Sequence, residues 1–146
     1  MKKFLFVFFL FAHFFSYGQY TGAKPYIAQF GPNQYVHNSG AGIIVTNLDE
    51  NDMVIVLVDK STDKAFAHAF IESRDSYTIT DLPTVSFYYK FENNGDFFEN
   101  KTIRKFDGCD SEKYMCDGYI EWELKVEVIR TTGYSNGKIS KKDFFN

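Results

Sequence analysis

Apolar and polar residues alternate along much of this chain, most regularly near its C-terminal end. Between residues 119 and 130 every second side chain is apolar: Ile120, Trp122, Leu124, Val126 and Val128. The positions between them are charged: Glu121, Glu123, Lys125 and Glu127. A period of two places the two sets on opposite faces of a strand, whereas a helix would scatter them around its circumference. Residues 119–130 are therefore predicted to form a half-buried β-strand.

Six further segments have strand-like patterns and are separated by turn-forming residues. Residues 53–58 are apolar and β-branched on both faces, which predicts a central strand that is covered on both sides. Residues 85–91 alternate, and their odd-numbered members are predicted to face the core. The other predicted strands are 42–46, 65–71, 77–80 and an edge strand at 102–106. Seven short strands without a convincing helical period predict an all-β fold, an antiparallel β-sandwich of the Ig-like kind.

The chain before the first of these strands has a different composition. Residues 19–40 are rich in Gly, Pro, Asn and Gln, which favour turns and irregular structure. We predict a loose N-terminal arm over 19–40, with one short strand at 26–30, followed by a β-sandwich domain over 41–146.

The first 18 residues have the parts of a bacterial secretory signal peptide. Lys2 and Lys3 form a basic start, residues 4–15 are apolar except for one histidine, and small residues lead to Gly18. This run is shorter than the ~20 apolar residues of a transmembrane helix. We therefore predict cleavage after Gly18 and a secreted or periplasmic protein without a transmembrane segment in the mature chain. A permanent N-terminal anchor is the alternative.

Net charge bears on the class of partner. The 146 residues carry a formal charge of −3. Loss of residues 1–18 removes two lysines and no acidic residue, so 14 basic and 19 acidic residues remain and the mature charge is −5. A general nucleic-acid binder needs a basic face. We therefore expect no nucleic-acid partner.

Several short motifs between residues 47 and 91 occur in an order known from one group of domains. They are the apolar run 53–59, the lysine-containing turn 61–64, the strand end 69–71, and the segment 77–83 followed by 87–91. In this order they resemble the prealbumin-like, or carboxypeptidase regulatory-like, β-sandwich modules of bacterial exported proteins. The segment from Trp122 onward is similar to uncharacterised bacterial domains with an aromatic tail. The resemblance implies a structural scaffold and carries over no catalytic residues.

Cys109 and Cys116 are the only cysteines in the chain. In an exported protein such an even pair forms a disulfide, and closing this eight-residue loop contributes about 2.5 kcal/mol in the chain-entropy model. A zinc site would need two further ligands, and no histidine lies near in sequence. The same loop carries four carboxylates, so Ca²⁺ binding stays open as an alternative to a solvated loop. They are Asp107, Asp110, Glu112 and Asp117.

Two histidines remain outside the predicted signal peptide, His37 and His68. His68 is predicted to lie on the same strand face as Phe66 and Phe70. A catalytic base would need a nucleophile and an orienting acid, and the chain has no Gly-x-Ser-x-Gly motif. We therefore expect no enzyme, no catalytic residue, no cofactor and no metal. The candidate ligand-contact residues are His68, Tyr88 and Tyr119.

These observations lead to an expected function, with two alternatives. We expect an exported, non-enzymatic β-sandwich module that binds a protein or a cell-envelope component, as a flat apolar patch or a free edge strand would indicate. A carbohydrate-binding module would instead present a row of exposed aromatic side chains on one sheet face. A small exported hydrolase would need a pocket that joins His68 or His37 to acidic residues.

Overall fold

The computed structural model describes residues 19–109, 116, 119–128 and 137–146. The predicted signal peptide lies outside the described residues. Within them the chain forms eight strands in two sheets and two short helices. In chain order these are α1 (Ile27–Phe30), β1 (Ile43–Asn47), β2 (Met53–Asp59), β3 (Lys64–Ile71), β4 (Ser76–Ile79), β5 (Ser86–Asn93), β6 (Asp96–Lys105), β7 (Trp122–Val126), β8 (Lys138–Ile139) and α2 (Lys141–Phe145).

The two sheets confirm the all-β sandwich, with eight described strands in place of the seven predicted. One sheet has the order β4-β1-β7 and the other the order β3-β2-β5-β6-β8. All pairs are antiparallel except β1 and β7, which run parallel from the pair Ile43 and Trp122 to the pair Asn47 and Val126. The sequence pattern predicts only antiparallel pairs and misses this parallel pair, because alternation along one strand does not show which strand lies beside it.

The turn between β5 and β6 explains why β6 is longer than predicted. Asn94 and Gly95 both have positive φ, 52° and 79°, and they connect the paired residues Asn93 and Asp96. Such a two-residue turn continues directly into the next strand. β6 therefore begins at Asp96 and not at residue 102, although its first residues lack a clear alternation.

The main core lies between the two sheets. β2 contributes Met53, Ile55 and Leu57 to it, and β5 contributes its odd-numbered residues, as predicted. The rings of Phe87 and Phe106 stack there with their centroids 4.5 Å apart. Leu124 and Val126 of β7 are buried, while Glu123, Lys125 and the next residue, Glu127, are exposed, so the predicted faces of this strand are confirmed. Trp122 is only partly buried, at the margin of the core.

A second apolar cluster covers the outer face of the five-stranded sheet. Val54, Val56 and Val58 of β2 point to this side and pack under both ends of the described chain. The covering aromatic rings are those of Tyr26, Phe30, Phe144 and Phe145. The central strand β2 is thus covered on both faces, as its composition predicts. The strand predicted at 26–30 is wrong, because residues 27–30 form helix α1.

The N-terminal segment also covers the free edge of β3. The N–H of Gly22 donates to the carbonyl of Phe70 (2.8 Å), and the N–H of Phe70 donates to the carbonyl of Ala23 (2.8 Å). Farther along, the N–H of Gln34 donates to the carbonyl of Phe66 (2.7 Å). These bonds satisfy backbone groups that an edge strand would otherwise expose to another chain. The predicted loose arm is therefore docked along much of its length.

Lys90 of β5 is buried under α2, although lysine is rarely buried without partners. Its ammonium donates to the carbonyl oxygens of Asp143 (2.6 Å) and Asn146 (3.0 Å) at the C-terminal end of the helix. A cation is favourable there because those carbonyls lack partners within the helix. Burial lowers the pKa of Lys90, and the carboxylates of Glu99 and Asp143 oppose that shift. Among the described residues, neither helix has the length or apolar character needed to cross a bilayer.

Candidate functional site

Three chain segments meet at the end of the sandwich where β1 and β7 begin and β4 ends. The first is 35–42, the second is 80–85, and the third lies between β6 and β7. Of the third segment the structure describes 106–109, 116 and 119–121. We call the surface formed by these described residues the loop end. A rigid scaffold that presents connecting segments is the usual place for binding residues.

Backbone hydrogen bonds join the first two segments of the loop end. The N–H of Val36 donates to the carbonyl of Asp81 (2.7 Å), and the N–H of Leu82 donates to the carbonyl of Ala41 (3.0 Å). Ala41 and Leu82 are fully buried, so this junction continues the main core. The two segments therefore hold a fixed relative position.

Glu121 joins the ends of the third segment. Its carboxylate accepts hydrogen bonds from the N–H of Asp107 (2.6 Å) and the N–H of Gly108 (3.2 Å). The N–H of Phe106 donates to the carbonyl of Val85 (3.0 Å), which links this segment to the second one. Charge-assisted bonds of this kind are stronger than neutral ones. The sequence predicts Glu121 only as a solvent-facing strand residue and gives no indication of this role.

The predicted disulfide joins Cys109 to Cys116, with their Cα atoms 5.7 Å apart. This separation lies in the usual range for a disulfide. Gly40 packs directly on Cys109: it has φ of 62°, and a Cβ atom at this position would collide with the Cβ of Cys109. The N–H of Cys109 also donates to the carbonyl of Ser39 (3.2 Å). The disulfide is therefore part of the framework of the loop end.

Large apolar side chains are exposed at this end of the molecule. Tyr35, Val36 and Tyr119 belong to the loop end, and Ile103 lies near the adjoining end of β6. Each of the four is between 43% and 57% exposed. Single exposed apolar residues are ordinary, whereas several at one end of a domain indicate a contact surface. Of these four, the sequence predicts only Tyr119 as a contact residue, because an exposed residue in a polar segment has no distinguishing local pattern.

His68 occupies a different place from the one predicted. An irregularity in the pairing of β2 with β3 lies between the pairs Leu57–Ala67 and Val58–Ala65, and it leaves Phe66 as an additional residue. Such a bulge changes the face on which the following residues lie. Phe66 therefore packs in the main core, whereas His68 lies under the N-terminal segment on the outer side. The prediction that His68 and Phe66 share a face is wrong.

The imidazole of His68 is fully enclosed. The ring lies 5.6 Å from the ring of Phe30, and Nε2 has no hydrogen-bond partner. The N–H of His68 donates to Oδ1 of Asn33 (3.0 Å), which fixes the N-terminal segment beside it. Burial lowers the pKa of His68, and the positive charge of Lys24 lowers it further. The side chain is inaccessible to a ligand in this arrangement.

Tyr88 also lies on the outer face of the five-stranded sheet and is buried. Its hydroxyl faces Oδ1 of Asp63 at 3.4 Å, and burial together with that carboxylate raises the pKa of Tyr88 to about 12. A cavity of about 440 Å³ beside the ring is lined by Lys60, Lys101 and Ile103. The three candidate contact residues thus lie in three separate places, and only Tyr119 belongs to the loop end.

The acidic segment around the disulfide yields no described metal site. Asp110, Glu112 and Asp117 lie outside the described residues, so the Ca²⁺ alternative stays open there. In the part of the chain that the structure describes, no group of three or more His, Cys, Asp or Glu side chains could hold a metal ion.

Comparison with known proteins does not identify a relative of this chain. No family model matches it, and neither a curated protein nor a solved structure matches it. The resemblance to prealbumin-like modules therefore stays a prediction.

Proposed function

We propose that this protein is an exported, non-enzymatic β-sandwich module that binds a protein partner, such as a component of the cell envelope, through the loop end. One observation carries the proposal. Exposed Tyr35, Val36 and Tyr119 lie at the end of the sandwich whose segments are joined by backbone bonds, the Glu121 carboxylate and the disulfide. Apolar anchors on a pre-organised surface bind with less loss of conformational freedom than anchors on a mobile one.

The kind of exposed side chain favours a protein partner over a carbohydrate. Sugar binding uses the flat faces of aromatic rings, whereas Val36 of the loop end offers branched aliphatic surface. Tyrosine serves both kinds of partner but is also enriched among the residues that dominate protein interfaces. The aromatic side chains on the outer face of the five-stranded sheet are covered by α1 and α2, which reduces the area available for a sugar chain.

Two further features support the non-catalytic and exported parts of the proposal. His68 is enclosed beneath Phe30 and has no acidic partner at Nε2. A disulfide such as Cys109–Cys116 persists in oxidising compartments, which include the periplasm and the extracellular medium.

An affinity capture from envelope extract and culture medium tests the proposal, with the purified protein as bait. We expect the wild-type protein to retain a specific partner. We expect the double variant Tyr35→Ala and Tyr119→Ala to lower the affinity for that partner at least ~10-fold, as is usual for truncation of central interface residues.

Tyr20→Ala is the matched control, because Tyr20 is 70% exposed at the opposite end, where neighbouring Thr21 bonds to Asp75 (2.6 Å). The Tyr20→Ala variant should retain the partner with the same affinity as the wild-type protein. Retention of the partner by the double variant, or retention of no partner from either source, would contradict the proposal. Binding to isolated envelope polysaccharide with no protein captured would favour the carbohydrate alternative.

A further inference from the structure

β7 is an edge strand of the three-stranded sheet, and its backbone has an unused side. The N–H of Trp122 donates to the carbonyl of Gly42 (3.2 Å), and the carbonyl of Val126 accepts from the N–H of Leu48 (2.9 Å). Both residues thus point their polar backbone groups toward β1. Because these groups alternate in direction along a strand, those of Glu123 and Lys125 point away from it. Within the described residues, no hydrogen bond reaches them on that side.

Among the described residues, a cavity borders β7 on the side away from β1. Within the described chain the three-stranded sheet ends at β7, whereas the five-stranded sheet has β6 and β8 beyond β5. The cavity has a volume of about 460 Å³ and lies between β7 and the five-stranded sheet. It is lined by Lys125 and Val126 of β7 and by Tyr89, Phe91 and Asn100 of the facing sheet. An added strand would extend the shorter sheet over this cavity. In the part of the chain that the structure describes, no strand of the shorter sheet covers this cavity.

We propose that β7 pairs with β7 of a second copy of this chain, antiparallel and centred on Leu124. In this register Glu123 lies opposite Lys125 of the second copy, and Lys125 lies opposite its Glu123. Both residues are exposed on the outer face, where each opposite-charge pair is favourable. Leu124 lies opposite itself on the inner face. The result is a continuous six-stranded sheet across the dimer.

Backbone geometry agrees with the same register. Glu123 and Lys125 are the residues whose N–H and C=O groups point outward, so each opposed pair can exchange both backbone hydrogen bonds. Leu124 directs its backbone groups toward β1 and falls at the non-bonded position between these pairs. In an antiparallel ladder such positions alternate, and side chains approach more closely at the non-bonded ones.

The charge pattern excludes the neighbouring symmetric registers. Moving the centre to residue 123 places Glu123 opposite its own copy, and moving it to residue 125 does the same for Lys125. Like charges directly opposite each other destabilise a strand pair. Beyond the ladder centred on Leu124, Glu121 would lie opposite Glu127 of the second copy, and these like charges oppose pairing outside β7. The pairing is thus confined to the five residues of β7.

This dimer is independent of the partner proposed for the loop end. Antiparallel pairing of β7 directs the two loop ends in opposite directions, so neither covers the other. Failure of capture by the loop end would leave the dimer unaffected, and a monomeric protein would leave the loop end able to bind.

Molecular mass in solution tests the dimer. We expect the light-scattering mass of the purified protein to rise from monomer toward dimer between about 10 µM and about 1 mM. The variants Glu123→Lys and Lys125→Glu place like charges opposite each other, and each should raise the dimer dissociation constant at least ~10-fold. Mixing these two variants places opposite charges at every pair and should restore the dimer as a heterodimer.

Lys60→Glu serves as the control, because Lys60 is an exposed lysine in the turn after β2, away from the β7 edge; it should dimerise as the wild type does. Amide exchange gives a second readout, since the N–H groups of Glu123 and Lys125 should become protected only at high concentration. A protein that stays monomeric to about 1 mM overturns the proposal. So does a dimer that both charge variants leave intact, or a mixture of the variants that remains monomeric.

Discussion

The ammonium of Lys90 donates a 2.6 Å hydrogen bond to the carbonyl oxygen of Asp143, and this contact ties the central strand β5 to the end of α2. Lys90→Met keeps most of the side-chain packing but removes the cation from the carbonyls of Asp143 and Asn146. We expect a loss of about 1–2 kcal/mol in the free energy of unfolding, since hydrogen bonds to charged groups contribute somewhat more than neutral ones. Urea denaturation measures it. Lys101→Met, which removes an exposed lysine paired with Glu99, should change stability by less than about 0.5 kcal/mol.

His68 should make stability depend on pH. Its pKa in the folded protein is below the unfolded value of 6.5, so the folded state resists protonation. Stability is then complete above pH 6.5 and falls as the pH decreases below it, because the unfolded chain binds the proton more readily. The loss cannot exceed about 1.4 kcal/mol per pH unit from this group. Denaturation at pH 7.5 and 5.5 measures it.

His68→Gln should remove most of that dependence, whereas His37→Gln, at an exposed position, should preserve it. Equal pH dependence in the wild type and in His68→Gln would show that another group is responsible.

Trp122 should contribute less to stability than its position in the sequence pattern predicts. The ring is partly buried, meets Phe87 edge-on at 6.5 Å, and donates from Nε1 to the carbonyl of Lys105 (2.8 Å). We expect Trp122→Ala to lower the free energy of unfolding by about 2–3 kcal/mol. Phe87→Ala, at a fully buried ring, should cost about 3–5 kcal/mol. A larger loss for Trp122 than for Phe87 in chemical denaturation would contradict this order.

The disulfide should stabilise the connection between β6 and β7. Replacing Cys109 and Cys116 together by Ser releases an eight-residue loop, and we expect a loss of about 2.5 kcal/mol, or a melting temperature lower by about 5–15 °C. Calorimetry of the native protein with and without reductant provides the same comparison without mutation. Two alkylatable thiols in the unreduced protein, detected by intact mass, would refute the bond.

The N-terminal residue of the exported protein should be Gln19. The basic start, the short apolar run and the small residues before this position all predict cleavage after Gly18. Mass spectrometry of N-terminal peptides from the culture medium and periplasm checks this expectation. Exported protein that still begins at Met1 would support the anchor alternative.

Local periodicity made a large part of the fold predictable. Each of the seven strands predicted for the sandwich domain overlaps one of β1–β7, and the faces of β5 and β7 follow their alternation because successive side chains of a strand point to opposite sides. The pair Cys109–Cys116 was predictable from its number and spacing. Of the loop end, only Tyr119 and the cysteines could be identified in advance, because Tyr35, Val36 and Glu121 depend on distant neighbours for their exposure or their bonds.

Tertiary structure decided everything that depends on which segments meet. The parallel pairing of β1 with β7, the bulge at Phe66 that moves His68 to the outer face, and the burial of Lys90 under α2 all involve residues far apart in the chain. Alternation with a period of two shows that a strand has one buried face, but it does not show which strand lies beside it or which segment covers it. The sequence by itself therefore determined where most strands lie and the faces of the regular strands β5 and β7. Only the packing of distant segments determined the strand order, the sheet edges, the bulge in β3 and the surroundings of the polar groups.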